Sequence, residues 1–295
     1  MLICVGASSF GKADTTALEL LENKGYEVRL NPFGRKLTPE ETVEFVQGAD
    51  GLLAGLEELS EEVLSALPAL KAISRIGVGM DNVDIDAASK LGIKVSNTPE
   101  APAAAVAEMT LAALLCCARN LVTSNAAIHQ GEWAKTMGFS LYGATVLLVG
   151  YGRIAHRFEE LLQPFKVRIL TYDPALASGP GLEQTLPQAD VVSLHASGAE
   201  CIIGEEELEL MKPSAILLNS ARGKLVDEAA VVQALKTGAL SWYWADSFVV
   251  EPYSGDLQEV GNALLTPHAS TYTALCRRDM ELQATQNLLK DLDDA

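Results

Sequence analysis

Short apolar runs rich in Val, Ile and Leu alternate along this chain with stretches whose apolar positions recur at helical spacing. "LICVG", "YEVRL", "GLLAGL", "LKAISRI" and "IKVS" are strand signals in the first part. Between them lie helical patterns, "TTALELLENKG", "TPEETVEFVQGA" and "DIDAASKLG". Thr38-Pro39-Glu40-Glu41 is a helix start, and Lys24-Gly25 is a helix end. The rhythm resumes with "ATVLLVG", "VRILTYD", "DVVSLH", "AILLNSA", "SWYWADS" and "ALLTPH". Continuous apolar strands alternating with helices predict an α/β fold, with parallel sheets doubly wound and covered on both faces.

One stretch breaks the rhythm. A long Ala-rich helix runs from Ala101 to about Asn120, after a "NTPEAP" segment whose prolines suit a helix start. It marks a crossing between two domains. The boundaries expected are 1–98 plus 269–295 for the first domain and 99–268 for the second, the late helical segment returning to pack on the first.

Composition narrows the function classes. A chain of 295 residues is long enough for two cores, and 48% hydrophobic against 21% charged residues describes a globular protein. The net charge of −17 argues against a nucleic-acid partner, whose phosphates select basic surfaces. An anionic substrate must then be held by local positive groups against the overall field. The five cysteines form no CxxC pair or Cys/His cluster, which suggests reduced thiols in a cytoplasmic protein and no metal site. The start, "MLICVGASS", reads as a strand and not a signal peptide. Ala101–Ala118 carries Glu108 and Thr110 and reads as a buried helix, so no membrane association is expected.

Two segments share a Gly-x-Gly device, "RIGVGMDN" and "LLVGYGRIAHR". A dinucleotide loop needs Gly-x-Gly-x-x-Gly/Ala after a strand and an acidic residue about 20 positions on. The second segment qualifies through Gly150, Gly152 and Ala155, with Arg153 and Ile154 opening a helix whose free N–H groups suit a pyrophosphate. Asp173 ends the next strand, placed for the hydroxyls of an adenosine ribose and against a 2′-phosphate, which favours NAD over NADP. The first segment has Asn82 at the third position and no carboxylate after the next strand. Gly77, Val78 and Gly79 read instead as a backbone nest for a substrate carboxylate, with Arg75 just before it.

With these loops in place the chain resembles the D-isomer-specific 2-hydroxyacid dehydrogenases over nearly its whole length. "ISRIGVGMDNVDIDAASKLGIKVSNTPEAPAAAVAEMTL" is similar to that family's substrate loop and crossing, and "LYGATVLLVGYGRIAHRF" to its NAD loop. "LMKPSAILLNSARGKLVDEAAVVQAL" resembles the segment of the active-site arginine, here Arg222. "VVEPYSGDLQEVGNALLTPHAS" resembles the segment of its glutamate and histidine, here Glu251 and His268. The resemblance implies a flavodoxin-like substrate domain, a Rossmann NAD domain, and hydride exchange between a D-2-hydroxyacid and NAD. His268 would be the acid–base group, Glu251 would stabilise its imidazolium, and Arg222 would hold the substrate carboxylate. The family pattern also places Asp246 near the nicotinamide amide, and the backbone of Asn219, Ser220 and Ala221 along the nicotinamide. His129, His156 and His195 have no such company and read as structural.

The chain departs from the family in three places. The loop "HASGAECIIG" is short and lacks proline, "LSWYWADSF" has bulky aromatics before Asp246 and Ser247 where valine is usual, and the sequence stops soon after the returning helix, so the serine feedback of longer phosphoglycerate-oxidising members is not expected. The substrate expected is a small anionic 2-hydroxyacid or 2-oxoacid. The family's phosphoglycerate-oxidising members are the nearest in pattern, with Arg75 and Arg35 as candidate phosphate ligands. The alternatives are a hydroxypyruvate or glyoxylate reductase, and a non-catalytic NAD-sensing scaffold. Two crossings should form a hinge that closes on substrate. The long helix, apolar all round, should leave surface for a homodimer to bury.

Overall fold

The computed structural model describes residues 1–174, 179–198 and 200–294. The chain divides into two compact units, Met1–Pro102 with Tyr272–Ala295, and Ala103–Thr271.

In the first unit, β1 (Leu2–Val5), β2 (Glu27–Leu30), β3 (Gly51–Ala54), β4 (Ala72–Arg75) and β5 (Lys94–Ser96) form a parallel sheet in the order β2-β1-β3-β4-β5. The chain moves outward from β1 to β2 and returns to the far side of β1 for β3. The carboxyl ends of β1 and β3 therefore flank the switch point of this sheet. The helix Pro39–Val46 starts where the sequence says it should: Thr38 Oγ1 accepts the Glu41 N–H, and Glu41 returns a carboxylate to the Thr38 N–H. The last helix, Ala274–Asp293, buries Met280, Ala284, Leu288 and Leu292, one residue per turn along a stripe. Leu288 lies against Gly51 of β3, where a Cβ would stand 3.2 Å from its methyl groups.

The second unit holds β6 (Thr145–Val149), β7 (Arg168–Tyr172), β8 (Val191–Leu194), β9 (Ile216–Asn219), β10 (Trp242–Ala245) and β11 (Ala263–Leu265), all parallel in the order β11-β10-β9-β8-β6-β7. Every residue of β6, β8, β9 and β10 is buried, as strands covered on both faces require. Alternate residues feed opposite cores. Leu147, Val192, Leu217 and Tyr243 enter one, while Leu148, Val191, Leu218, Trp242 and Trp244 enter the other with Phe158, Ala107 and Leu114. The unusual tryptophans thus fill the face covered by the long helix, Pro102–Ala118.

That helix sends Ala107, Ala113, Leu114, Cys117 and Ala118 into its own unit's core and leaves Ala104 and Ala112 exposed, with Met109, Leu111, Leu115 and Cys116 half-buried. Larger exposed apolar residues come next, Leu121, Val122 and Ile128 on the helix Leu121–His129, then Trp133 (86% exposed) and Met137 (94%). Among the described residues no single helix is long and apolar enough to cross a membrane.

Candidate active site

The switch point of the second sheet lies between β6 and β8, and the glycine loop emerges there. Gly150 adopts a left-handed φ of +85°, and a Cβ on it would stand 2.5 Å from the backbone of Ala196, so the turn crosses directly over the segment leaving β8. Gly152 caps the helix Arg153–Leu162 with no side chain on its first N–H groups, and a Cβ there would meet nothing within 4 Å. Ala155, fully buried, lets that helix approach the sheet. At the end of β7 the Asp173 carboxylate accepts the Tyr151 N–H at 2.7 Å, which fixes it beside the loop. Next to it is a pocket of about 150 Å³ lined by Tyr172, Asp173, Pro174 and Gly179–Gly181. Open helix N–H groups, an open glycine and an anchored carboxylate fit a dinucleotide.

The loop after β9 presents the arginine. Asn219 is buried, its Oδ1 accepting the Ala221 N–H (3.0 Å) and its Nδ2 donating to the Arg222 carbonyl (2.9 Å), which closes a tight turn. Ser220 Oγ is buried with no partner among the described residues, the kind of orphaned group a ligand satisfies. Arg222 Nη1 donates to the Ala221 carbonyl at 2.9 Å.

Glu251 and His268, 17 residues apart, meet directly. His268 Nδ1 lies 3.1 and 3.0 Å from the two Glu251 oxygens. An ionised carboxylate only accepts, so Nδ1 carries the proton and Nε2 is the nitrogen left for chemistry. Partial burial alone would push the Glu251 carboxyl up. The hydrogen bonds from His268 and from the Phe248 N–H, with the charges of His268 and Arg222, outweigh it and hold the group below its ordinary range. His268 has φ +51°, a conformation a side-chain-bearing residue keeps only where its surroundings impose it. Asp246, just after β10, is 1% exposed and accepts three hydrogen bonds, from Thr266 Oγ1 (2.6 Å), Ala269 N (2.9 Å) and Ser270 N (3.0 Å). One acceptor position remains for the nicotinamide amide that the family resemblance would place there, and the three bonds it accepts hold the segment that carries His268. Thr266 and Trp244, which complete this arrangement, were not among the sequence candidates. The unusual "WYW" before Asp246 was the available signal.

His195 fits its structural reading. It pairs with Ser193 Oγ at 2.9 Å, lies beside Phe158, and burial pushes its imidazole down to about 3, so it stays neutral. The loop from His195 to Gly204 lies within the described residues except for Ala199.

In the first unit the turn after β4 has Gly77 at φ +140°, its N–H donated to Thr98 Oγ1 at 2.8 Å. The Arg75 guanidinium folds over it, with Nη1 donating to the Ile76 carbonyl at 2.8 Å. Among the described residues no acceptor takes the Val78 or Gly79 N–H. Arg35 does not stand as a spare cation, because Glu41 takes its guanidinium in two bonds of 2.8 and 2.7 Å. A phosphate at Arg35 would therefore share the cation with a carboxylate that already matches its fork.

A family model described as D-isomer specific 2-hydroxyacid dehydrogenase, NAD binding domain, matches residues 111–270. The glyoxylate reductase of Pyrococcus furiosus is 34% identical over 92% of this chain and 88% of its own. The hydroxypyruvate reductase of Thermotoga maritima is 30% identical over 95% of both. The D-3-phosphoglycerate dehydrogenase of Methanocaldococcus jannaschii is 35% identical over 87% of this chain but 52% of its own length. Among solved structures, the TT0316 protein from Thermus thermophilus superposes with a TM-score of 0.90 at 35% identity, covering 100% of this chain and 97% of that one.

Proposed function

The chain belongs to the D-isomer specific 2-hydroxyacid dehydrogenases, and from that premise we propose that it reduces glyoxylate or hydroxypyruvate with NADH. The reaction class rests above all on the contact between His268 Nδ1 and the Glu251 carboxylate. A bound nicotinamide dinucleotide, held at the Gly150–Gly152 turn and by Asp173, would supply the hydride. His268 Nε2 delivers a proton to the substrate's carbonyl oxygen in reduction, and the same nitrogen withdraws it in the reverse direction. Glu251 accepts the Nδ1 proton and so leaves Nε2 as the nitrogen that exchanges a proton with substrate. Arg222 holds the substrate carboxylate and polarises the carbonyl, and the Val78 and Gly79 N–H groups are the first unit's own candidates for a carboxylate contact. Asp173 favours NAD, since its carboxylate would repel a 2′-phosphate.

Two observations move the substrate away from 3-phosphoglycerate. The relatives matched over most of their length are named for glyoxylate and hydroxypyruvate, and Arg35 is matched by Glu41. An intact arginine, glutamate and histidine set also speaks against a non-catalytic scaffold. NADH oxidation followed with each oxoacid tests the reading: turnover of glyoxylate or hydroxypyruvate supports it, and turnover of 3-phosphohydroxypyruvate alone overturns it. His268→Ala should lower kcat by about 10³-fold while NADH fluorescence quenching stays unchanged. The proposal includes a homodimer that buries the outer face of the long helix together with the exposed apolar residues of the segment 121–137 that follows it. Sedimentation giving a species of 31.4 kDa alone would refute that part.

A further inference from the structure

Trp244, the third residue of β10, reaches His268 through two side chains, those of Thr266 and Asp246. We propose that Trp244 and Thr266 act with Asp246 as positioning residues for His268, a hydrogen-bonded relay that sets the ring orientation for proton transfer. The inference rests on the reading of His268 as the acid–base group.

Trp244 is fully buried and its indole N–H donates to Thr266 Oγ1 at 3.0 Å. A buried indole must place this proton on an acceptor. Parallel pairing of β10 with β11 sets Ala245 opposite Leu265, so Thr266 follows directly, and its N–H bonds the Ala245 carbonyl at 3.0 Å. The threonine hydroxyl has one proton and two acceptors in range, Asp246 Oδ1 at 2.6 Å and the Ala245 carbonyl at 3.4 Å. With the indole occupying a lone pair, the proton points along the shorter contact, and N–H to O–H to carboxylate align head to tail. The carboxylate then takes the N–H groups of Ala269 and Ser270, the residues immediately after His268. On the other side, the His268 N–H closes onto the Thr266 carbonyl at 2.9 Å.

His268 is therefore gripped from both flanks, through Thr266 before it and Asp246 after it, with Pro267 between Thr266 and the histidine. This grip is what maintains φ +51°, and that conformation is what delivers Nδ1 to Glu251. Packing alone does not account for the pattern. A smaller phenylalanine would still fill most of this core position, but it has no N–H to orient the Thr266 hydroxyl.

Three variants test this: Thr266→Val, which removes the hydroxyl at nearly constant shape, Thr266→Ser, which restores it, and Trp244→Phe, which removes the indole N–H. With the better oxoacid, Thr266→Val should lower kcat about 10- to 100-fold, the scale of a small misplacement. KM should stay within about twofold, because the hydroxyl contacts Trp244, Asp246 and the Ala245 carbonyl and none of the groups proposed to hold substrate. Thr266→Ser should recover most of kcat, and Trp244→Phe should fall between the two. In long-range ¹H–¹⁵N spectra of the neutral ring, wild type should show one tautomer with the proton on Nδ1, and Thr266→Val an average of both. Unchanged kcat and tautomer in Thr266→Val would overturn the relay, as would a serine variant no better than valine. If wild type turns over no oxoacid, the proposed function fails and the tautomer measurement still decides the relay. If Trp244→Phe does not fold, the two threonine variants decide it.

Discussion

The two sheets have the same kind of switch point, yet they use it in opposite ways. Between β6 and β8 the Gly150 turn crosses the backbone of Ala196 and leaves Gly152 and the helix N-terminus open above it. Between β1 and β3 the chain has filled the corresponding crevice itself. The Glu57 carboxyl lies there, 1% exposed, with Oε1 accepting the Gly55 N–H at 2.9 Å. A Cβ on Gly6 would stand 1.9 Å from that oxygen, so the glycine makes the room the carboxyl takes. In the proposed function, contact with substrate then moves one strand along, to the Gly77 turn after β4. Similar letters in a Gly-x-Gly motif thus say little until it is known which strand end they occupy and what already fills the space.

Exchanging the two glycines for alanine should separate the loops most strongly. Gly150→Ala sets a Cβ 2.5–2.7 Å from the backbone of Ala196 and His195, atoms that cannot yield, at a φ of +85°. The NADH Kd should rise at least about 100-fold, with a loss of thermal stability from the strained φ of roughly 1 kcal/mol or more. Gly77→Ala also strains the backbone, but its Cβ meets the Arg75 guanidinium, the far end of a flexible side chain. There the NADH Kd should stay within about twofold and the oxoacid KM should rise about tenfold, as expected for a group that contributes to substrate binding. Equal losses of NADH affinity in the two variants would break the distinction between the loops.

Much of this organisation could be read from the sequence because it is carried by local pattern. Strands buried on both faces read as continuous apolar runs, and Thr38 to Glu41 announces a helix through four adjacent residues. The candidate cofactor loop stood out from the other Gly-x-Gly segment because a third small residue and a distant carboxylate had to coincide. The Glu251–His268 contact could be anticipated only through resemblance, since no periodicity links residues 17 apart in irregular segments. The occupation of Asp246 was hidden for the same reason, since its partners lie 20 to 24 residues on in a loop whose path follows β11. Arg35 looked free because its partner, six residues away, sits across a helix start rather than on a helix face.

A smaller effect concerns the cofactor. Asp173 is anchored through Tyr151 N to the loop that would hold the pyrophosphate, so its charge stands in a fixed place. Asp173→Ser removes that charge and should shift the ratio of NADH to NADPH affinity toward NADPH by about tenfold. Titration of both dinucleotides by fluorescence reads the shift. An unchanged ratio would mean that selectivity is set elsewhere, and that the second switch point recognises the dinucleotide without this carboxylate.

The smallest effect tests the filled crevice itself through two carboxyls of the first unit. Burial raises the Glu57 pKa above the ordinary 4.5, and the Gly55 hydrogen bond and the charges of Arg75 and Lys36 offset this only in part. A raised folded-state pKa means that the group's contribution to stability is complete below the unfolded value and is lost as pH rises through the folded one. Glu57→Gln keeps a neutral polar group in the crevice at every pH. Its urea midpoint relative to wild type should therefore climb as pH rises above about 4.5 and level off once the folded carboxyl ionises. Glu41 supplies the opposite sign, because Arg35 and the Thr38 N–H hold its carboxyl down at about 2. Its contribution is present above the unfolded value and disappears as pH falls toward 2, so Glu41→Gln should matter at neutral pH and converge with wild type in acid. Being exposed, that pair should move the midpoint little. If the Glu57→Gln difference does not change with pH, the buried carboxyl is ionised against Arg75, and the crevice holds an ion pair instead of a neutral plug.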